Sequence, residues 1–203
     1  MIAALVTAIV RWRLASLKRS ELRLKQQVAE KTAELAGLAR LDALTGLANR
    51  RAFDEAMQHE LKRAKRQQES LCLALLDIDY FKQVNDNWSH STGDEVLKRV
   101  AAILQQHCRD TDYLARWGGE EFVILLPDTP LAKAQEVCDR LRQKIAGGSF
   151  DDIVADLTIT LSVGVAKLSH KGDGKQLLID ADRALYQAKS QGRNTVVSSE
   201  EPD

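Results

Sequence analysis

The chain has 203 residues, with 29 basic and 29 acidic side chains and a formal net charge of zero. That length suits one domain of about 160 residues plus an accessory segment. The charge balance argues against a general nucleic-acid binder, which carries a basic excess. Cys72, Cys108 and Cys138 lie far apart, with no CxxC and no zinc-type histidine spacing, and read as reduced residues of a cytoplasmic domain, Cys72 and Cys138 in its core.

Residues 2–10, "IAALVTAIV", are apolar apart from Thr7, and "RWR" follows at 11–13. Nine helical residues cover about 14 Å, roughly half a bilayer core, and cannot span it. No basic segment precedes the run and no small-residue cleavage site follows, which disfavours a signal peptide. Arginine and Trp12 at its border suit the cytoplasmic end of a transmembrane helix. The expectation is a chain cut inside its last membrane span (1–13), with an upstream sensor missing. The alternative is a short interfacial helix or one that packs on a partner.

From Leu14 to Leu38 a heptad places Leu14, Glu21, Val28 and Leu35 at a, and Leu17, Leu24, Lys31 and Leu38 at d. Six of these eight are apolar, so 14–40 is a candidate parallel coiled coil and homodimer seam, weakened by Glu21 and Lys31. The same pattern also fits one amphipathic helix lying on its own domain.

"DALTGLANR" (42–50) breaks that helix. Thr45-Gly46 reads as a turn and Asn49 as the N-cap of a helix to about Gln68. "LCLALLDID" (71–79) is a buried strand by its apolar run. Residues 93–108 form an amphipathic helix, with Val96, Leu97, Val100 and Leu104 at helical spacing. A hairpin of two strands carries "RWGGEEF" (116–122). Residues 130–146 are helical, 158–166 a strand, 174–190 helical and 195–197 a short strand. The tail 198–203 is expected to be disordered. Strands and helices alternate without a strict βαβ rhythm. The fold class is therefore α/β of the α+β kind: a mixed, largely antiparallel five-stranded sheet covered by helices, preceded by a long N-terminal helix.

Two glycines and two glutamates interrupt the hairpin at 118–121. Read alone, the stretch is either a turn with solvated charges or a site where backbone approaches a ligand. Elsewhere, strand 71–79 leaves the core at Asp77 and Asp79. Carboxylates there, facing Glu120 and Glu121 on the hairpin, make a candidate divalent-metal nucleotide site, because magnesium takes a few carboxylates and leaves its other positions to water and phosphate. Asp77 and Glu120 are the first ligand candidates, joined by the Ile78 carbonyl, while Asp79 either shares the site or caps the following turn. Asn85 and Asp94 suit guanine, whose edge offers two donors and an acceptor. Lys189 and Arg193, four apart, are candidate polyphosphate clamps or a solvated helix end.

Five stretches in order, "DALTGLANRR", "DIDYFKQVNDNWSHSTGDEVL", "RWGGEEF", "TLSVGVA" and "ADRALYQAKSQGRN", resemble the diguanylate cyclase (GGDEF-domain) family over residues 40–197. The resemblance implies a palm-like fold similar to class III nucleotidyl cyclases, a catalytic domain at 41–197, and condensation of two GTP into cyclic di-GMP with release of two pyrophosphates. It implies two facing subunits, each holding one GTP. Carried over by position, Asp77, the Ile78 carbonyl and Glu120 hold two magnesium ions, with manganese as an alternative. Glu120 also helps deprotonate the attacking 3′-hydroxyl, and Glu121 supports the metal site. Asn85, Asp94 and His90 line the guanine pocket, while Phe81, Lys82, Lys189 and Arg193 hold phosphates.

"RDTD" (109–112) places Arg109 and Asp112 in an RxxD pattern that resembles the family's inhibitory product site. Ser89 departs from the family pattern, in which glycine often precedes the histidine, and the loop around His90 is expected to be stiffer or to turn differently. The chain keeps Asp77, Glu120, Glu121, Lys189 and Arg193, which favours an active cyclase over a silent receptor of GTP or cyclic di-GMP. The implied location is a cytoplasmic catalytic domain tethered to the inner membrane.

Overall fold

A computed structural model describes residues 39–169 and 172–199, together with Trp12, Arg13, Lys18, Glu21, Leu24 and Lys25. The chain divides into two compact units, 1–39 and 40–203. The six described residues of the first unit up to Lys25 are helical, and Glu21 pairs with Lys25 at 2.8 Å one turn apart. The expected membrane end and the heptad seam otherwise lie outside the described residues. Among the described residues no helix is long and apolar enough to cross a membrane.

The second unit consists of β1 (Ala48–Asn49), α1 (Arg50–Gln67), β2 (Leu71–Ile78), α2 (Phe81–Asn87), α3 (His90–His107), β3 (Tyr113–Gly118), β4 (Glu121–Pro127), α4 (Leu131–Ala146), β5 (Leu161–Lys167), α5 (Gly174–Ser190) and β6 (Val196–Ser198). The strands form one sheet in the order β1-β3-β4-β2-β5-β6. The three inner pairings are antiparallel, and the two outer ones, β1–β3 and β5–β6, are parallel. Every residue of β2 is buried, which explains its unbroken apolar run.

Alternation along β2 divides the core. Cys72, Ala74, Leu76 and Ile78 pack with α2, α3 and α4, whereas Leu71, Leu73 and Leu75 pack with α1 and α5. Asp77 continues the second set and so opens toward the α5 side. Helix α5 is drawn tightly onto β5 at Gly164, where an added Cβ would lie 2.1 Å from the Leu185 amide nitrogen and 2.2 Å from the Ala181 carbonyl oxygen. That close approach carries the far end of α5 over the end of β2.

Side-chain caps set several helix starts. Asn49 accepts from the Ala52 amide at 3.0 Å, Ser89 from Thr92 at 3.1 Å and Asp173 from Gln176 at 2.8 Å. Burial pushes the Cys108 thiol up to about 12 and the fully enclosed Cys138 thiol higher still, so both stay protonated.

Four expectations are corrected. The sheet has six strands, not five, because the two-residue β1 pairs with β3 through Ala48–Ala115 and Asn49–Arg116. Helix α3 begins at His90, since the Ser89 hydroxyl caps it three residues earlier than the apolar spacing suggests. The strand expected at 158–166 is Leu161–Lys167; just before it the Thr160 carbonyl accepts from the Asp79 amide at 2.9 Å and the Thr160 hydroxyl donates to the Asp79 carboxylate at 2.7 Å, where β2 itself ends. Ser198 lies in β6 and the Ser199 amide donates to the Val165 carbonyl at 2.8 Å, so ordered chain runs past the expected start of the tail.

Candidate functional site

Asp77 stands opposite Glu121 in the β2–β4 ladder and opposite Ser162 in the β2–β5 ladder. The Lys189 ammonium, from the last turn of α5, reaches it at 2.8 Å. Burial pushes the Asp77 carboxyl up; Lys189 opposes this, and the Glu120 and Asp79 charges reinforce it. Glu121 is raised first by burial, then by the charges of Asp77, Glu120 and Asp182, with Lys189 again opposing. The end of β2 therefore concentrates negative charge against one compensating lysine.

Glu120 sits in the turn between β3 and β4, where its carbonyl accepts from the Ile78 amide at 3.3 Å. The turn needs glycine for conformation: Gly119 has φ +52°, and no atom lies within 4 Å of a Cβ added there. Arg116 holds the same turn. Its Nε and Nη2 donate to the Gly119 carbonyl at 3.0 and 2.8 Å, and its Nη1 donates to both Asp42 oxygens at 3.1 and 3.2 Å. A bulge between Arg116 and Gly118 turns Trp117 onto α1, edge-on to Phe53 and beneath the Arg50 guanidinium at 4.1 Å.

Asp79 is committed to structure. It accepts from the Ser162 hydroxyl at 2.6 Å, the Thr160 hydroxyl at 2.7 Å and the Asn194 amide at 3.0 Å. These bonds tie the loop after α5 to the end of β2 and bring Arg193 beside Tyr80, with its Cζ 4.5 Å from the ring centroid. Phe81 is buried in the core, so only its main chain remains for a phosphate, whereas Lys82 is exposed.

Asn85 on α2 and Asp94 on α3 meet through Gly93. A Cβ at Gly93 would fall 2.1 Å from the Asn85 side-chain oxygen, so the amide lies against the bare helix beside Asp94. His90 opens α3 and is exposed. Ser89 causes no strain there: its backbone is extended (φ −178°) and its hydroxyl is the cap.

Arg109 and Asp112 close a tight turn before β3. The Arg109 amide donates to the Asp112 carboxylate at 2.9 Å and the Asp112 amide to the Arg109 carbonyl at 3.0 Å. Burial raises the Asp112 carboxyl, while the Arg109 amide and the charges of Arg109 and Arg140 pull the other way. This turn lies at the opposite end of β3 from Gly118, about 17 Å away along the strand.

The structure thus brings Asp77, Glu120, Glu121 and Lys189 together, sets Asn85 beside Asp94, and leaves Arg109 and Asp112 apart. Asp42, Arg116, Asp182 and Arg140 escaped sequence reasoning because their relevance arises from packing between distant elements. Asp42, Arg116 and Asp182 lie within the quoted motif stretches, whereas Arg140 carried no local signal. A groove of about 390 Å³ between α1 and the start of α5, lined by Lys62, Lys65 and Lys175, contains none of the expected site residues.

The donor chemistry fits a hard divalent cation, since Asp77, Glu120 and Glu121 bring their charges to bear on one another at the end of β2. Among the described residues, no three histidine, cysteine or acidic side chains form a ready-made metal cage. The expected set instead consists of two carboxylates and the Ile78 carbonyl.

Residues 39–195 match the family model described as diguanylate cyclase, GGDEF domain. The chain is 44% identical over 153 residues to diguanylate cyclase DgcP of Pseudomonas aeruginosa, covering 75% of this chain and 23% of that protein. It is 42% identical over 165 residues to response regulator PleD of Caulobacter vibrioides, covering 79% and 36%. The chain thus spans only about a quarter to a third of these relatives. Among solved structures, the GGDEF domain of DgcB from Caulobacter crescentus in complex with c-di-GMP has a TM-score of 0.76 at 34% identity, with 80% of this chain and 97% of that chain covered. Diguanylate cyclase SiaD from Pseudomonas aeruginosa, in complex with its activator SiaC, also gives 0.76, at 38% identity and with 92% and 72% covered.

Proposed function

The chain belongs to the GGDEF-domain family of diguanylate cyclases, and on that premise we propose that it condenses two GTP molecules into cyclic di-GMP and two pyrophosphates. The observation that carries this reading is the Asp77–Lys189 contact at 2.8 Å beside the Glu120–Glu121 turn, a set of charges that an inactive scaffold has no need to keep.

Each of two facing subunits binds one GTP. Asn85 and Asp94 read the guanine edge, with His90 at its border. Lys82, Lys189, Arg193 and the Phe81 main chain hold the phosphates. Asp77, the Ile78 carbonyl and Glu120 would hold magnesium, which would supply charge neutralisation at the phosphates and favour ionisation of the 3′-hydroxyl.

Glu120 receives the 3′-hydroxyl proton, and Glu121 supports it from the first position of β4. The 3′-oxygen of one GTP forms a bond to the α-phosphorus of the other. The bond between that phosphorus and the bridging oxygen breaks, and pyrophosphate leaves with the electron pair. A second, symmetric transfer closes the ring. The protein contributes mainly positioning and charge, as in other phosphoryl and nucleotidyl transfers.

The heptad read in the sequence at 14–40 is the proposed means of pairing two catalytic domains (41–197). Arg109 and Asp112, with Arg140 facing them, bind the product and hold subunits apart from the productive arrangement. The likeness to a domain crystallised with c-di-GMP supports binding of that nucleotide, and the RxxD pattern is the reason for assigning it to this turn.

The test is incubation of the purified chain with GTP and magnesium, with chromatographic resolution of products, alongside Glu120→Ala. Cyclic di-GMP from the parent alone supports the enzyme. No product from a dimeric parent stripped of bound nucleotide supports a receptor of GTP or cyclic di-GMP instead.

A further inference from the structure

Tyr80 is 55% exposed and its backbone is left-handed (φ 57°), although aromatic residues rarely adopt that region. Its neighbours leave it no other course. Asp79 is held by Ser162, Thr160 and Asn194, and Phe81 is buried in the core, so the chain between them projects the Tyr80 ring outward.

Arg193 is also in an unfavoured conformation. Gly192, Arg193 and Asn194 follow one another at φ 107°, 66° and 44°. This run is fixed from three sides. The Arg193 amide donates to the Ala188 carbonyl at 3.1 Å, the Asn194 amide to Asp79 at 3.0 Å, and Arg142 donates to the Asn194 side-chain oxygen at 2.7 Å. Two strained segments are therefore held against each other. They meet where the Arg193 guanidinium lies over the Tyr80 ring at 4.5 Å and its Nη1 donates to the phenol oxygen at 3.3 Å.

Strain maintained by this many bonds points to a use for the geometry it creates. We propose that Tyr80 is a positioning residue for nucleotide binding: its ring and hydroxyl fix the plane of the Arg193 guanidinium, so that the fork's remaining donors meet a polyphosphate already oriented. This rests on the reading of Arg193 as a phosphate clamp. A guanidinium has five donors in one plane, and a ring beneath it takes none of them. The stack removes rotamer freedom that the arginine would otherwise lose on binding, which strengthens the complex without adding a contact to the ligand.

The test is calorimetric titration of the whole chain, with magnesium, using the α,β-methylene analogue of GTP, which cannot release pyrophosphate, and GMP as the short-chain control. Tyr80→Leu should weaken analogue binding about three- to tenfold while changing GMP affinity less than about twofold. Tyr80→Trp should restore the analogue to within about twofold of the parent. In an Arg193→Ala background, Tyr80→Leu should add no further loss.

Unchanged analogue affinity in Tyr80→Leu, with Arg193→Ala clearly weakened, overturns the stack alone. Unchanged affinity in Arg193→Ala overturns the phosphate reading beneath it. Equal losses for analogue and GMP in Tyr80→Leu assign the tyrosine a structural role, and also overturn the proposal.

Discussion

Arg116 and Asp42, 74 residues apart in sequence, are joined by two contacts of 3.1 and 3.2 Å, while the rest of the same guanidinium clasps the Gly119 carbonyl. Asp42 is in turn held by the Thr45 amide at 2.9 Å and hydroxyl at 2.7 Å. The turn that carries Glu120 is thereby fastened to the start of the second unit. Arg116→Ala should reduce cyclic di-GMP formation at least about tenfold, because a displacement near 1 Å at a reacting group costs up to two orders of magnitude. Steady-state assays with the melting temperature measured in parallel check this, and an unaltered rate refutes the role given to Arg116.

The same pair predicts a pH dependence. Burial pushes the Asp42 carboxyl up, but the Thr45 and Arg116 bonds outweigh it, and the net direction is below its ordinary value of 3.8. A depressed carboxyl stabilises the fold above its unfolded value and loses that contribution as pH falls through the lower folded one. Asp42→Asn should therefore melt about 2–4 °C below the parent at pH 7, for a loss of about 1 kcal/mol. The gap should shrink below pH 4. Thermal unfolding of both proteins across pH 3–8 reads it directly.

Gly93→Ala should weaken GTP binding as well as stability. The new methyl would overlap the Asn85 side-chain oxygen at 2.1 Å and the Phe81 ring at 3.1 Å. The amide can swing away, at a cost of about 1–3 kcal/mol for the crowded site. The KM for GTP should rise about tenfold, with a smaller loss of discrimination against ITP, which lacks the exocyclic amine. Competition assays between the two nucleotides test this. A KM unchanged from the parent would show that Asn85 does not contact the base.

A single sequence is informative where its signals are local. Strand β2 and helix α5 (Gly174–Ser190) were legible because an apolar run and a helical period are local signals. Strand β1 was not, since two residues carry no period and Ala48–Asn49 is a strand only beside β3. Helix α2 is short, and its buried residues are just Phe81 and Val84. Acids at a strand end were readable as chemistry, yet Asp79 proved to be an anchor for Ser162, Thr160 and Asn194. Alternation alone could not separate it from Asp77, because both face the same side. The charges of Asp182 on α5 and Arg140 on α4 act on Glu121 and Asp112 across distant elements, which no spacing reports.

Gly164→Ala offers the largest expected loss of stability. Its Cβ would meet backbone atoms of Leu185 and Ala181, which cannot rotate aside as a side chain does. Helix α5 would have to lift from β5, opening the core at Ala181 and Leu185 and withdrawing Lys189 from Asp77. A loss of about 3 kcal/mol or more, at the upper end for crowded cores, should lower the melting temperature by about 6–12 °C. A melting temperature within a degree of the parent would contradict the close packing.

Product control should separate from catalysis. Arg109 and Asp112 lie at the far end of β3 from Glu120, and Arg140 of α4 acts on Asp112 from outside that strand. Removing an arginine that contacts only the product should leave initial rates within about twofold while weakening inhibition. Arg109→Ala and Arg140→Ala should each raise the cyclic di-GMP concentration that halves the rate about tenfold or more, the loss expected for a charged hydrogen bond of about 1.5–3 kcal/mol. Progress curves started with and without added cyclic di-GMP distinguish the cases. If Arg109→Ala relieves inhibition and Arg140→Ala does not, the product rests on the turn before β3 without help from α4. If neither does, the site at 109–112 is not where product acts.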